Sequence, residues 1–133
     1  MKFWTKTSTA IATSILAATL QFATVTSAEA KTADGKWLIY LSQSYSGNAW
    51  QSETANIIKA LATTAPFNES VKLVHVISGT DPQAQIADYE SMIAAGADGV
   101  ISFPISATAL NKVIKAGCDK GVMFFMYDGN VTE

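Results

Sequence analysis

The chain has 133 residues, 49% hydrophobic and 15% charged, with a formal net charge of −2 at pH 7. All nine cationic residues are lysines spread along the chain, which excludes the clustered basic surface a nucleic acid needs and the bidentate arginine clamp for carboxylate or phosphate. The single cysteine, Cys118, cannot form an internal disulfide, so packing alone must hold the fold.

Residues 1–30 have the pattern of an export signal. Lys2 and Lys6 form a positive n-region, and Ala10 to Leu20 is a short apolar run interrupted by Thr13, Ser14 and Thr19. Ala28-Glu29-Ala30 is a small-x-small cleavage site. The apolar run is shorter than the roughly 20 residues of a spanning helix and lacks a stop-transfer flank. The expected mature protein therefore begins at Lys31 and has no membrane span after cleavage. Residues 31–133 amount to about one small domain.

Four short runs of β-forming apolar residues follow: Trp37 to Leu41, Val71 to Ile77, Gly99 to Phe103 and Val122 to Tyr127. Runs that are apolar on both faces suit parallel strands covered by helices. Between them lie three segments of helical period. Asn48 to Ala65 has the stripe Trp50, Ile57, Ile58, Leu61; Pro82 to Ala95 has Ile86, Tyr89, Met92, Ile93; Ser106 to Lys120 has Leu110, Val113, Ile114, Cys118. Asn48 is placed to cap the first helix with Gln51 returning the bond, and Thr80 with Gln83 to cap the second, where Pro82 is tolerated in the first turn. Gly96 and Gly121 stand where helices must stop. Gly117, inside the third helix, has no local reason beyond close packing.

This alternation predicts an α/β fold with an open, doubly wound parallel sheet, a Rossmann-like or flavodoxin-like half. Ligands of such sheets bind outside the carboxyl ends of the strands, near the point where strand order reverses. The rule selects the loops Ser42 to Asn48, Ser78 to Asp81, Pro104 to Ser106, and the segment from Asp128 onward. The chain stops at Glu133 with no further helix after the fourth strand, which reads as a piece of a longer protein. An exposed edge strand with apolar Val122 to Tyr127 also predicts that residues 31–133 alone would be poorly soluble.

Four segments carry a family resemblance: Leu41-Ser42-Gln43-Ser44-Tyr45-Ser46-Gly47-Asn48-Ala49-Trp50-Gln51, Asp81 to Gly99, Phe103 to Gly121, and Phe125-Met126-Tyr127-Asp128. Together they resemble the N-terminal lobe of the periplasmic sugar-binding proteins of ABC importers, the ribose- and galactose-binding type. The resemblance covers essentially all of residues 36 to 132. It implies an incomplete N-terminal lobe of a two-lobe binding protein, a periplasmic location, a simple sugar or polyol as ligand, a membrane permease as partner, and a monomer when full length. It implies no enzymatic activity and no cofactor.

The expected ligand-binding residues are Asp128, Trp50, Asn48, Tyr45 and Ser44. The resembled family uses an aspartate at the position of Asp128, where a carboxylate can accept two sugar hydroxyls; otherwise Asp128-Gly129-Asn130 is an ordinary turn. The family often places an arginine next, whereas Gly129 follows here, so the clamp on the sugar ring differs or comes from the other lobe. Trp50 could stack its indole on the apolar face of a sugar ring, or begin a core stripe. Asn48, Ser44 and Tyr45 offer neutral donors and acceptors, or serve as cap and loop residues.

His75 lies inside a strand with no second His or Cys at metal-ligand spacing, so metal binding is not expected. Cys118 reads as a small buried hydrophobe and Asp98 as a turn at the end opposite the ligand loops. The alternatives are a ligand-sensing partner of a chemotaxis receptor or sensor kinase, and an enzyme on a Rossmann-like sheet. The enzyme reading lacks both a G-x-G-x-x-G loop and a phosphate cradle in SQSYSGN, and no nucleophile-base pair is visible. A sugar-responsive repressor would carry a helix-turn-helix where this chain has its export signal.

Overall fold

A computed structural model describes residues 32–132; the export signal and the cleavage point expected from the sequence lie outside them. The elements are β1 (Trp37–Gln43), α1 (Ala49–Ala62), α2 (Phe67–Ser70), β2 (Val71–Ile77), α3 (Pro82–Ala94), β3 (Gly99–Phe103), α4 (Asn111–Cys118) and β4 (Met123–Met126). The strands form one all-parallel sheet in the order β2-β1-β3-β4, the α/β doubly wound half expected from the alternation. Strand order reverses between β1 and β3, so the loops following these two strands flank the switch point.

Register assigns each residue to a face. β1 pairs with β2 from Trp37 opposite Val71 to Gln43 opposite Ile77, and with β3 from Ile39 opposite Gly99 to Gln43 opposite Phe103. Because side chains alternate, Tyr40, Val76, Val100 and Phe124 point one way, and Ile39, Leu73, Ile101 and Phe125 point the other. The first face is closed by α3 and α4. There Tyr89, Met92, Val100, Leu110 and Val113 are buried in one cluster, with Phe124 packed against it.

Gly117 has its reason here: a Cβ would lie 2.6 Å from Phe124 Cε2 and 3.0 Å from Ile93 Cδ1, so only glycine lets α4 approach the sheet. Cys118, expected to be buried, is exposed. The inward positions of α4 are Val113 and Gly117, and the next residue turns about 100° away from the core.

The second face is covered by α1, and only in part. Its buried residues are Gln51 and Ala55, with Ile58 half-buried one turn on. The expected stripe is thus rotated: Trp50, Ile57 and Leu61 are exposed, because α1 turns Gln51 and Ala55 toward the sheet. Beyond α1 the sheet stays open, with Met123 at 74% and Phe125 at 62% exposure. An apolar groove of about 810 Å³ runs over Ile39, Leu73, Ile101, Phe125, Met123 and Leu61. β4 is an edge strand, as expected.

Helix termini differ in detail from the sequence expectation. Asn48 caps α1, its Oδ1 accepting from Gln51 N at 2.8 Å, while the Gln51 side chain is drawn inward and returns nothing. Asp81, not Thr80, caps α3, accepting from Gln83 N at 2.9 Å, because extended Asp81 stands directly before Pro82. The third expected helix begins five residues late, at Asn111. Ser106 Oγ first accepts from Ala109 N at 3.1 Å, and Asn111 N then bonds Thr108 O at 3.2 Å, closing a separate tight turn. Gly96 and Gly121 end their helices at φ +78 and +88.

Candidate functional site

The carboxyl ends of the strands carry a layer of buried polar side chains beneath the loops. On the α1 side, the two hydrogens of Gln43 Nε2 are shared among three acceptors within reach, Gln51 O (2.9 Å), Gln51 Oε1 (2.8 Å) and Tyr127 OH (2.9 Å). The Tyr127 hydroxyl in turn donates to Gln51 Oε1 at 3.2 Å. With its nitrogen committed as donor, Gln43 presents Oε1 as acceptor, so His75, 2.8 Å away through Nε2, is the Nε2–H tautomer. One amide thus fastens β1 to α1, β2 and the residue after β4.

On the opposite side, Gln85 of α3 does similar work. Its Nε2 donates to Phe103 O at 3.0 Å and its Oε1 accepts from Ile105 N at 2.9 Å. This fixes the course of the loop after β3. Tyr89 bonds Ser102 in the same layer.

Burial governs the titratable groups in these layers. The Tyr127 hydroxyl is pushed up by desolvation, with the Asp128 charge adding to it and the Gln43 bond opposing. Tyr89 is likewise pushed up by burial. His75 is held below its ordinary value by desolvation, then by Lys59 of α1. All three stay neutral at neutral pH, as suits a polar layer without counter-ions.

Above this layer lie the residues singled out in the sequence, and two of them meet. Trp50 Nε1–H donates to Asp128 Oδ2 at 2.9 Å, joining residues 78 apart in the chain. Asp128 adopts φ +51, the left-handed conformation that aspartate tolerates better than most residues. Its setting is firm: Tyr127 N bonds Ser102 O at 2.9 Å and Thr132 N bonds Ala107 O at 2.8 Å. A Cβ at Gly129 would lie 3.0 Å from Pro104 Cγ, so this chain segment presses against the loop after β3. An arginine in place of Gly129 would have to displace that proline.

Trp50 and Tyr45 are exposed, at 61% and 46%. Tyr45 folds back over Gly47, where any Cβ would collide with its ring. Asn48 is exposed but commits its Oδ1 to the cap of α1, leaving the Nδ2 hydrogens as the part able to meet a ligand. Ser44 sits lower: it is fully buried, and its hydroxyl, like that of Ser78 at the end of β2, is without a hydrogen-bond partner among the described residues.

The arrangement thus offers one carboxylate, an indole, a phenol and neutral hydrogen-bonding groups on an open surface. No group of three or more His, Cys, Asp or Glu able to hold a metal occurs among the described residues, and none of their helices is long and apolar enough to cross a membrane. Sequence reasoning missed the tie of Gln43, Gln51, His75 and Tyr127. The available signal was glutamine at an inward strand position and again at an inward position of the following helix.

Solved structures share this architecture. A periplasmic ribose ABC transporter protein from Conexibacter woesei superposes with a TM-score of 0.65 at 25% identity, covering 77% of this chain and 33% of that one. A solute-binding protein of an ABC transporter from Thermobispora bispora gives 0.60 at 29% identity, covering 73% and 31%. At 23% identity, a likeness of fold alone, the binding protein of the arabinose ABC transporter from Shewanella sp. ANA-3 gives 0.64, covering 72% and 30%. The chain spans about a third of the length of these structures. A search of curated protein sequences gave no match. The model of the periplasmic binding protein domain matches residues 39–133, and the chain belongs to that family.

Proposed function

We propose that this chain supplies one lobe of an extracytoplasmic solute receptor that captures a cyclic sugar or polyol for an ABC importer. In this reading residues 1–30 are a cleaved export signal, residues 31–133 form the N-terminal lobe, and a second lobe completes the cleft by hinge closure. The observation that carries it is the meeting of Trp50 and Asp128 at the carboxyl ends of the strands, beside the switch point. A carboxylate takes sugar hydroxyls through charge-assisted bonds, and an aromatic face takes the apolar C–H face of the ring. Asn48 and Tyr45 add neutral bonds at the rim, and Ser44 meets a ligand group that enters beneath the loop. Ribose, named for one of the similar structures, is a ligand of this class. No bond is made or broken; the partner is a permease.

Calorimetric titration of the full-length protein, with both lobes present, against D-ribose, L-arabinose, D-galactose and D-fructose tests the reading. At least one sugar should bind, and Asp128→Asn should weaken it by about tenfold or more, the loss of a charge-assisted hydrogen bond. Equal affinity of the variant, or no binding of any sugar, would overturn the reading.

A further inference from the structure

The Trp50 to Asp128 hydrogen bond joins an exposed donor to a firmly set acceptor. Asp128 is held by its neighbours: Tyr127 is bound to Gln43 and Gln51, Gly129 abuts Pro104, and Thr132 is tied to Ala107. Trp50 is not held in this way. Its ring is mostly solvent-exposed, and α1 is anchored through Gln51 and Ala55, which face the sheet. In the ligand-free chain the indole N–H therefore occupies Asp128 Oδ2 as a neutral single donor, the same kind of partner that a sugar hydroxyl would be.

We propose that Trp50 is a specificity-determining competitor: its indole N–H holds Asp128 Oδ2 in the empty site, and a ligand that uses both carboxylate oxygens must displace it. This rests on the reading of Asp128 as a sugar-binding carboxylate. A ligand that gives Asp128 one hydroxyl takes the other carboxylate oxygen and leaves the indole in place. A ligand that gives two adjacent hydroxyls gains the first bond outright but only exchanges the second for the indole bond at Oδ2, which leaves little net gain from it. The built-in donor thus narrows the preference for adjacent diols over single-hydroxyl ligands, by a cost placed on one partner rather than a contact added for the other.

The competition and a plain stacking platform make opposite predictions for Trp50→Phe. Phenylalanine keeps an aromatic face but cannot donate to Asp128. If Trp50 competes, the variant binds the responsive sugar of the panel about 2- to 12-fold more tightly, the worth of one released hydrogen bond. It also binds cyclohexanol, a single-hydroxyl probe, with more of a handicap against cis-1,2-cyclohexanediol than the parent protein shows. Because the ring is exposed, the variant should keep the parent melting temperature.

A second measurement needs no ligand. The Trp50 Nε1–H proton resonance, assigned by its disappearance in Trp50→Phe, should shift upfield in Asp128→Asn and shift again when sugar is added to the parent chain. Equal or weaker sugar binding by Trp50→Phe, or an indole resonance indifferent to Asp128→Asn, overturns the competition while leaving the receptor reading standing. Absence of binding by every sugar to both proteins overturns the receptor reading and the competition together.

Discussion

The two faces of the sheet are built from the same strands, yet they end in different states. On one, α3 and α4 bury Tyr89, Leu110 and Val113 against Val100, and Gly117 lets the helix approach Phe124 closely. On the other, α1 covers the β1–β2 side of the sheet, burying Gln51 and Ala55, and leaves Phe125 and Met123 exposed over an apolar groove. The groove occupies the amino-terminal halves of the strands, through Trp37, Val71, Gly99 and Met123. The polar layer and the Trp50 to Asp128 contact lie at the carboxyl ends. Concavity and recognition chemistry are therefore separated along the strands. The groove is apolar and gives a polyhydroxyl ligand few partners, whereas the surface at the carboxyl ends has the donors and acceptors in place.

Two adjacent phenylalanines on β4 test the contrast between the faces, since they point in opposite directions. Phe124 packs its ring 5.4 Å from that of Tyr89, and Phe124→Ala should cost about 3 kcal/mol of stability, read by thermal or urea unfolding. A loss below about 1 kcal/mol would mean that this face is less closed than its packing implies.

A smaller effect is expected from acid. Burial, aided by Lys59, holds the His75 pKa below its ordinary 6.5. A depressed pKa means that the contribution of this group is fully present above the unfolded value and drains as pH falls through the folded one. Melts across that window should show a decline that His75→Gln reduces. An identical decline in the variant would remove His75 from the account.

The smallest effect belongs to Phe125→Ala on the open face, where unfolding stability should change by no more than about 0.5 kcal/mol. A loss comparable to that of Phe124→Ala would show that the second face is covered in solution.

Much of the architecture was legible because parallel strands buried between layers leave uninterrupted apolar runs. The limits of β2 and β3 follow the runs Val71 to Ile77 and Gly99 to Phe103 without adjustment. The course of the loops followed from topology, and all five candidate residues lie at or just after the carboxyl ends of β1 and β4.

The rotation of α1 was not legible. Its large apolar residues suggest an inward stripe, but the residues that face the sheet are Gln51 and Ala55, selected by a glutamine on the strand. That tie depends on Tyr127, 84 positions from Gln43, and helical or strand periodicity has no access to such a distance. Trp50 and Asp128 were each identified from local chemistry for the same reason that their contact was not. A stacking surface and a carboxylate show in sequence, but the turn that brings Asp128 to φ +51 beside α1 does not.

The most direct test of the account is to map a sugar titration onto the chain by backbone amide NMR, using D-ribose and L-arabinose. The account predicts perturbations concentrated at residues 44–50, 104–106 and 128–130, with the amides of Leu61, Met123 and Phe125 unmoved. Perturbations centred on the apolar groove instead would contradict it.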